Sequence, residues 1–298
     1  MSELMAQQEQ SICHLRKWKV GALFMEAGTG KTRVACELIK QVPDADLILL
    51  QTIRPKEGLP SVKDEIAKWD CDHLPFHFVG VESISGSDRI YLDTLAKVEK
   101  AKNPFIVVDE SLKIKNWEAK RTKRILALGK KAGYKLILNG TPLSRNLLDL
   151  WSQMEFLSPK ILNMTYSQFK NTFCKYTTIT KTFANGRRAQ KEFITGYENI
   201  DYLYSLIRHY VFQCDLSLNI TQNYRELYYS LDEDSRIRYY EIKEKYLDDE
   251  MLQWKNDNIF LEMTQKMQHT YCCDNEKFQV VDHLFKTIPQ EKTIIFCK

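Results

Sequence analysis

Short apolar runs alternate with amphipathic segments through the first half of the chain. Four runs of strand length are almost wholly apolar: residues 21–25, 47–50, 105–108 and 135–138. Residues 31–41 and 62–69 instead repeat apolar side chains every three or four positions, which is typical of a helix packed on one face. Apolar strands separated by helices predict an α/β fold in which a parallel sheet is covered on both faces.

The pattern changes after about residue 151. Residues 178–197 alternate around Asn185 and Gly186, a dipeptide that favours a tight β-hairpin turn. Further elements are predicted at four places: helices at 166–176, 202–210 and 232–247, and a strand at 224–231. Residues 292–298 resemble another core strand with no helix after it, so we expect the natural protein to continue past residue 298.

Composition places the chain among globular proteins of about two domains. It has 298 residues, of which 44% are hydrophobic and 28% charged, and a net charge of +4. No apolar run approaches the roughly 20 residues of a membrane span, and the N-terminus lacks the pattern of a signal peptide. We therefore expect a protein without a membrane partner that is not secreted. It would be cytoplasmic, in a bacterium or a phage-infected cell, or nuclear in a eukaryote, and a monomer.

Cysteine and histidine spacing does not indicate a metal centre. The 8 cysteines include no C-x-x-C pair, which favours free thiols in a reducing compartment and argues against zinc. His73 and His77 lie in a proline-containing stretch that we predict to be a loop, and ordinary histidines are the more probable interpretation there.

The strongest chemical signal lies between the first apolar run and the helix that follows it. Residues 25–32 read Met-Glu-Ala-Gly-Thr-Gly-Lys-Thr. Glycines let backbone N–H groups approach phosphate oxygens, and a helix N-terminus favours negative charge. Lys31 would reach the β- and γ-phosphates of ATP, and Thr32 would bind Mg²⁺. The candidate ATP ligands are Ala27, Gly28, Thr29, Gly30, Lys31, Thr32 and Arg33.

An acidic pair follows the buried strand at 105–108. Asp109 is predicted to hold Mg²⁺, together with Thr32, since a carboxylate at the end of such a strand does so in P-loop ATPases. Glu110 would polarise the attacking water as general base. An Asp-Glu pair alone usually marks the start of a loop, and its combination with the glycine segment makes it a candidate catalytic site with Lys31.

A third segment, Asn-Gly-Thr-Pro-Leu at residues 139–143, also follows an apolar strand. Because ligands bind at the carboxyl ends of parallel strands, all three segments should meet at one sheet edge. Thr141 is the candidate residue for coupling hydrolysis to movement. A glycine and a proline so close together are otherwise typical of an ordinary turn.

Together these three segments resemble motifs I, II and III of helicase superfamily 2. The segments Gly-Thr-Gly-Lys-Thr, Asp-Glu-Ser-Leu-Lys-Ile-Lys-Asn and Gly-Thr-Pro-Leu-Ser-Arg-Asn-Leu-Leu-Asp-Leu-Trp are most similar to the SWI/SNF-type DNA translocases. The resemblance is motif-specific over about residues 21–160. Leu112 stands where that family usually has a polar residue such as His, and Asn139 where it has Thr or Ser.

The resemblance implies a RecA-like P-loop lobe at 1–160, a helical and hairpin extension at 161–215, and the incomplete start of a second lobe at 216–298. It also implies that Gln8, or its neighbour Gln7, recognises adenine. The arginine finger of the second lobe accelerates related ATPases by about 10³–10⁵. We therefore expect this chain alone to bind ATP and to hydrolyse it slowly.

The resemblance further implies DNA as a partner, duplex or branched and contacted without regard to sequence. The candidate cations follow motif II or lie in the predicted hairpin: Lys113, Lys115, Arg121, Arg124, Arg187 and Arg188. A solvated helix face and a charged, exposed hairpin are the alternative interpretations. The expected function is therefore an ATP-dependent, helicase-type DNA translocase. Two alternatives remain, namely an ATP-binding switch or protein-interaction module, and a P-loop ATPase without a nucleic-acid role.

Overall fold

The computed structural model describes residues 3–52, 59–182, 188–216, 226–248, 259–272 and 274–287. They belong to two compact units, residues 1–218 and 219–298. The first unit contains a parallel six-stranded sheet: β1 (Val20–Met25), β2 (Leu47–Thr52), β3 (Phe76–Gly80), β4 (Pro104–Val108), β5 (Tyr134–Asn139) and β8 (Val211–Cys214), in the order β3-β2-β4-β5-β1-β8. The predicted α/β fold with a parallel sheet is confirmed.

Each strand sends alternate side chains to opposite faces of the sheet. On β2, Leu49 joins one apolar core while Ile48 and Leu50 join the other. The adjacent strand β4 divides in the same way, with Ile106 on the first side and Phe105 on the second. Because both faces are buried, the strands read as unbroken apolar runs in the sequence.

Three helices cover one face: α1 (Ala6–Leu15), α2 (Lys31–Lys40) and α3 (Leu59–Lys68). The other face is covered by α4 (Val81–Gly86), α5 (Asp88–Lys100), α6 (Lys120–Gly129), α7 (Trp151–Leu157), α8 (Pro159–Leu162), α9 (Tyr166–Phe173) and α10 (Ile200–Ile207). Two 3₁₀ turns, Ser111–Ile114 and Leu147–Leu150, follow the second and third motif segments. Because all six strands run parallel, their carboxyl ends lie at a common edge.

The predicted hairpin consists of β6 (Cys174–Thr182) and β7 (Arg188–Tyr197), which pair antiparallel. Its turn, with Asn185 and Gly186, lies outside the described residues. The helix predicted at 166–176 is too long. It ends at Phe173 because Cys174 is already extended, with φ −120° and ψ 131°, and starts the threonine-rich β6.

Two further predictions were wrong. His77 lies on β3 and not in a loop, because Phe76 and Phe78 project to the same side and stack with ring centroids 5.7 Å apart. Residues 226–231, predicted as part of a strand, have no regular secondary structure. Their contacts are with a helical region, as Tyr229 Oη donates to the Tyr271 carbonyl at 3.5 Å. A strand needs a partner strand, and the described part of this unit contains none.

The regular elements described in the second unit are three helices, α11 (Glu233–Asp248), α12 (Ile259–Cys272) and α13 (Asn275–Thr287). The helix predicted at 232–247 is confirmed as α11, and Tyr246 on it donates to Glu262 on α12 at 2.8 Å. The strand predicted at 292–298 lies outside the described residues. Among the described helices of the chain, none is both long and apolar enough to cross a bilayer.

Candidate functional site

The three motif segments meet at one edge of the sheet because their strands are parallel neighbours. β5 pairs with β1 on one side and with β4 on the other. Gly140, directly after β5, lies against the loop that follows β1. A Cβ added to it would lie 3.7 Å from the Met25 carbonyl oxygen and 3.9 Å from the Ala27 nitrogen. The segment after β5 therefore borders both the glycine loop and the acidic pair.

The glycine loop after β1 has the backbone geometry that a phosphate site needs. Gly28 and Gly30 have φ of 85° and 83°, a region that other residues adopt only at a cost. Thr29 is fully buried, and its hydroxyl donates to the Glu26 carbonyl at 2.7 Å, which braces the turn. Ala27 and Gly28 are exposed residues, so a ligand can approach the loop at these positions.

Lys31, at the start of α2, turns back over this loop. Its ammonium donates to the carbonyl oxygens of Met25 at 2.8 Å and Glu26 at 3.1 Å. These are neutral acceptors at the rim of the loop, and a polyphosphate would offer stronger, charged ones. The amine is thus held at the loop, beside the place where the phosphates of a nucleotide would lie.

Gln8 on α1 holds the other side of the loop. Its side chain is buried, donates to the Thr29 carbonyl at 3.1 Å and accepts from the Met5 N–H at 3.1 Å. A Cβ on Gly30 would collide with the Gln8 amide. Gln7 instead reaches only the Met5 sulfur, at 3.5 Å. Of the two glutamines, the structure brings Gln8 to the glycine loop.

Asp109 and Glu110 follow β4 two strands away from the loop. Burial and the neighbouring Glu110 carboxylate raise the pKa of Asp109 to about 6, while the nearby Lys31 ammonium opposes that rise. A divalent cation between the two carboxylates would remove their repulsion, so this donor set fits Mg²⁺. Lys31 therefore lies close enough to the acidic pair for the two segments to form one site.

Glu110 has a left-handed backbone, with φ 53° and ψ 57°. For a residue with a side chain this conformation costs on the order of 1–3 kcal/mol and persists only where the surroundings impose it. The Glu110 N–H donates to Asp109 Oδ1 at 3.0 Å, which is one of the contacts that impose it.

Arg33 is placed differently from the other candidate ATP ligands. It is buried, its guanidinium stacks on Trp69 at 4.3 Å from the ring centroid, and it donates to the Glu3 carbonyl at 2.9 Å. Its contacts thus tie α2 to the N-terminal segment. A role for Arg33 in ATP binding stays a prediction.

A sequence model of the SNF2-related domain family matches residues 83–288, which is more than half of the chain. The chain belongs to the SNF2-related domain family. The family match includes Asp109, Glu110 and the segment after β5, whereas the glycine loop lies before it. The predicted relationship to the SWI/SNF branch of helicase superfamily 2 is confirmed.

Curated relatives share this similarity over about half of the SNF2-related chain. Probable ATP-dependent DNA helicase CHR12 from Arabidopsis thaliana is 31% identical over 166 residues, covering 48% of this chain and 15% of the relative. The human SWI/SNF-related matrix-associated actin-dependent regulator of chromatin subfamily A member 1 is 28% identical over the same shares of the two chains. The chain thus spans only a small part of these relatives.

Among solved structures, the Sulfolobus solfataricus SWI2/SNF2 ATPase core in complex with dsDNA superimposes with a TM-score of 0.53 at 17% identity. The superposition covers 96% of this chain and 64% of that chain. At this identity the likeness supports the fold of the SNF2-related domain and nothing finer.

A buried polar cluster, which no sequence pattern predicted, links the second and third motif segments of this SNF2-related domain. Ser111 Oγ donates to Gln153 Oε1 at 2.6 Å, and Asn139 Nδ2 donates to Ser111 Oγ at 3.5 Å. The candidate coupling residue Thr141 is exposed and joins the cluster through its backbone, since its N–H donates to Asn139 Oδ1 at 3.1 Å. The available signal was the position of Gln153 on α7 beside Met154, among the residues that pack against the core.

Glu26 is a second residue that the sequence did not single out. Its carboxylate accepts from the Leu216 N–H at 2.8 Å, and its own N–H donates to the Cys214 carbonyl at 3.0 Å. The segment leaving β8 therefore runs beside the glycine loop. Only the structure shows this contact, because about 190 residues separate Glu26 from Leu216 in the chain.

The candidate DNA cations of the SNF2-related domain are mostly engaged with the protein itself. Lys113 lies 3.4 Å from Glu82, and Lys115 lies 3.8 Å from the carboxylate of Asp149. Arg124 is only 13% exposed and pairs with Asp88. It also donates to the Ile84 carbonyl at 2.6 Å, at the end of α4. These contacts show that Arg124 fixes α6 to α4 and α5.

Three arginines remain. Arg121 is half-buried on α6, and within the described part of the chain its Nε is buried without a hydrogen-bond partner. Arg187 lies outside the described residues, and Arg188 is described only by its backbone, which pairs with Thr182 in the hairpin. Contact of these residues with DNA stays a prediction.

Proposed function

We propose that this SNF2-related domain binds ATP with Mg²⁺, hydrolyses it, and uses the cycle to move along duplex or branched DNA without reading its sequence. The observation that carries the proposal is the meeting of the glycine loop and the acidic pair at one edge of the sheet, where the Lys31 ammonium lies near enough to Asp109 to oppose the rise in the pKa of that carboxyl. An anion-binding loop beside two carboxylates is complementary to a metal-bound polyphosphate.

The backbone of Ala27 to Lys31 would cradle the phosphates, with the Lys31 ammonium moving from the two carbonyl oxygens to the β- and γ-phosphates. Thr32 and Asp109 would hold Mg²⁺, which supplies positive charge against the phosphate oxygens. Glu110 would orient the attacking water and accept its proton. Gln8, which donates to the Thr29 carbonyl in the loop, would recognise adenine.

Two similar proteins support the DNA part of the proposal. One relative is described as a probable ATP-dependent DNA helicase, and the Sulfolobus core was solved with double-stranded DNA. The exposed cations of the segment after motif II would supply contacts to phosphates, whose affinity falls steeply with salt. Lys120 and Lys123 are exposed on α6 in that segment.

The test is ATP binding and hydrolysis by the 298-residue chain, alone and with duplex, single-stranded or branched DNA. We expect binding at micromolar ATP, slow basal turnover, and stimulation by duplex or branched DNA that declines as salt rises. Lys31→Ala should abolish binding or turnover while the circular dichroism spectrum and unfolding transition remain those of a folded protein.

Each other outcome selects an alternative. ATP binding without turnover, with or without DNA, would indicate a nucleotide-dependent switch. Turnover that no DNA stimulates, in a chain that does not bind DNA at low salt, would indicate an ATPase unconnected with nucleic acid. ATP binding that is unchanged in Lys31→Ala would refute the assignment of the glycine loop.

A further inference from the structure

Three polar side chains lie buried behind the acidic pair. Ser111 and Gln153 are fully buried and Asn139 is 1% exposed. They come from three different elements, since Ser111 begins the 3₁₀ turn after Glu110, Asn139 ends β5, and Gln153 is on α7. Buried polar groups are costly unless their hydrogen bonds are satisfied, so a fully bonded cluster specifies one arrangement of the elements that share it.

Gln153 is the member that joins the two motif segments. Its carbonyl oxygen accepts from Ser111 at 2.6 Å. Its amide nitrogen donates to the Pro142 carbonyl at 2.8 Å and to the Asp149 carbonyl at 2.8 Å. One planar amide therefore fixes the residue after Glu110 relative to the residue after Thr141.

Asn139 completes the link from the side of β5. Its amide donates to Ser111 at 3.5 Å, and its oxygen accepts from the Thr141 N–H at 3.1 Å. The polar link behind the acidic pair is thus made by Ser111, Asn139 and Gln153.

The cluster also bears on the conformation of Glu110. That residue stands in the left-handed region with φ 53°, between Asp109, whose carboxylate accepts its N–H, and Ser111, which Gln153 holds. Strain of this kind persists where both neighbours are fixed. Release of Ser111 would let Glu110 relax and its carboxylate turn away from the metal side.

We propose that Gln153 is a positioning residue that sets Glu110 for hydrolysis and ties its position to that of the segment 139–142. Gln153 itself does not touch nucleotide. It acts through Ser111 on one side and the Pro142 carbonyl on the other. The proposal rests on the proposed ATPase function, and it adds the route by which the acidic pair and the segment after β5 move together.

The test compares two variants of α7 in the full chain. Gln153→Met keeps the side-chain length and removes every bond of the amide. Ser152→Ala is the matched control, because Ser152 is also buried and donates to the carbonyls of Ile114 at 2.6 Å and Lys115 at 2.9 Å. It thus holds the same 3₁₀ turn without reaching the segment after β5.

Amide hydrogen exchange, measured without nucleotide, tests whether Gln153 connects the residues after Asp109 to the segment after β5. In Gln153→Met we expect exchange to accelerate about 10-fold or more both at 110–113 and at 140–143. In Ser152→Ala it should accelerate only near 114–116. Unchanged exchange at 140–143 in Gln153→Met, or the same acceleration there in Ser152→Ala, would overturn the connection.

Single-turnover hydrolysis, with protein in excess over ATP, tests whether loss of this connection slows the chemical step. We expect Gln153→Met to slow the chemical step about 10- to 100-fold, as for groups that support metal-side ligands, with the Kd for ATP within about 2-fold. Ser111→Ala combined with Gln153→Met should lose no more than the more damaging single variant, because both break one link. An unchanged rate, or losses that multiply, would overturn the positioning role.

The two proposals fail in distinguishable ways. If the unchanged chain showed no Lys31-dependent ATP binding, the proposed function would be refuted, and the exchange measurement would still support or refute the connection through Gln153. If the unchanged chain bound and hydrolysed ATP while both Gln153→Met readouts matched the unchanged chain, the positioning role alone would be refuted.

Discussion

The sheet edge with the three motif segments and the basic segment at residues 113–124 are both rich in candidate functional residues. The two regions differ in the partners that their side chains bond. At the edge, side chains bond to backbone carbonyls or to one another: Lys31 to Met25, Gln8 to Thr29, and Ser111 to Gln153. In the basic segment, Lys113 and Arg124 are matched to carboxylates brought by other helices.

This difference shows what local sequence specifies. A loop that presents backbone groups depends on glycines and on the strand and helix around it, all of which are adjacent in the sequence. The partner of a surface cation comes from anywhere in the fold. Asp88, for example, meets Arg124 only because α5 packs beside α6. A run of lysines and arginines is therefore weaker evidence for a ligand than a glycine loop is.

The largest effect expected at the sheet edge is a loss of ATP turnover when Glu110 is replaced. Glu110→Gln keeps the size of the side chain and removes its basicity, so hydrolysis should fall by about 10²–10⁴. ATP affinity should stay within a few-fold, since the loop at Gly28 to Lys31 is untouched. Rapid-quench kinetics with a parallel binding titration would measure both. Full turnover in Glu110→Gln would remove Glu110 from its role.

Asp109→Asn should separate stability from function. Because burial and Glu110 raise the pKa of Asp109 from 3.8 to about 6, the fold favours the protonated form. The stability that this preference contributes is present below about pH 4 and is lost as pH rises through about 6. At pH 7 the nucleotide-free Asn variant should be more stable than the unchanged chain, on the order of 2 kcal/mol.

Thermal unfolding of both proteins at several pH values would measure this difference. The gain in Asp109→Asn should shrink as the pH falls from 7 towards 4, while Mg²⁺-dependent ATP binding is lost at every pH. A variant that is less stable at pH 7 than the unchanged chain would show that Asp109 is paired and not repelled in the free site.

Substitution of two adjacent residues on α6, Arg124 and Lys123, tests whether a cation bonded within the fold contributes to stability and an exposed one to DNA binding. Arg124→Ala removes a mostly buried cation and its bonds to Asp88 and Ile84, so the free energy of unfolding should fall by about 2 kcal/mol. Lys123→Ala removes an exposed cation and should change stability by less than about 0.5 kcal/mol.

Duplex DNA binding at two salt concentrations should give the opposite ranking. Lys123→Ala is expected to weaken it about 2- to 5-fold and to reduce its salt dependence, as for a phosphate contact. Arg124→Ala should leave it unchanged at a temperature where the protein is folded. Should Arg124→Ala weaken DNA binding with no loss of stability, the division drawn between the regions would be wrong.

A small effect of opposite sign is expected at Gln51, near the end of β2, the strand beside β4. It is fully buried, and within the described residues neither atom of its amide has a hydrogen-bond partner. Gln51→Met should stabilise the protein by about 1 kcal/mol, because an unsatisfied buried amide is removed. The same change at the fully bonded Gln153 should destabilise it, and chemical denaturation of both variants compares the signs.

The sheet could be predicted from the sequence because strands buried on both faces leave unbroken apolar runs. The runs at 21–25, 47–50, 105–108 and 135–138 became β1, β2, β4 and β5. The edge strands β3 and β8 were not predicted. β3 follows a proline and mixes His77 with aromatic residues, and β8 has only four residues, Val211–Cys214.

The candidate site was predictable only in part, for the same physical reason. Its glycine loop and acidic pair each lie within a few consecutive residues. The cluster around Gln153 joins residues as far as 42 positions apart, so no local pattern shows it. Thr141 was chosen for a hydroxyl that proves to be exposed, and what ties this residue to the cluster is its backbone N–H.

The strand β5 stands between the strand that leads to the glycine loop and the strand that leads to the acidic pair. The end of β5 is consequently held on both sides. The Met25 backbone packs against Gly140, and the Asn139 amide is bonded to Ser111 and to the Thr141 N–H. A movement of the glycine loop or of the acidic pair would therefore shift the same peptide groups, those of residues 139–141. An environment-sensitive dye attached at the exposed position 141, in place of Thr141, would thus report two events in one signal: the binding of phosphates to the glycine loop and the neutralisation of the acidic pair.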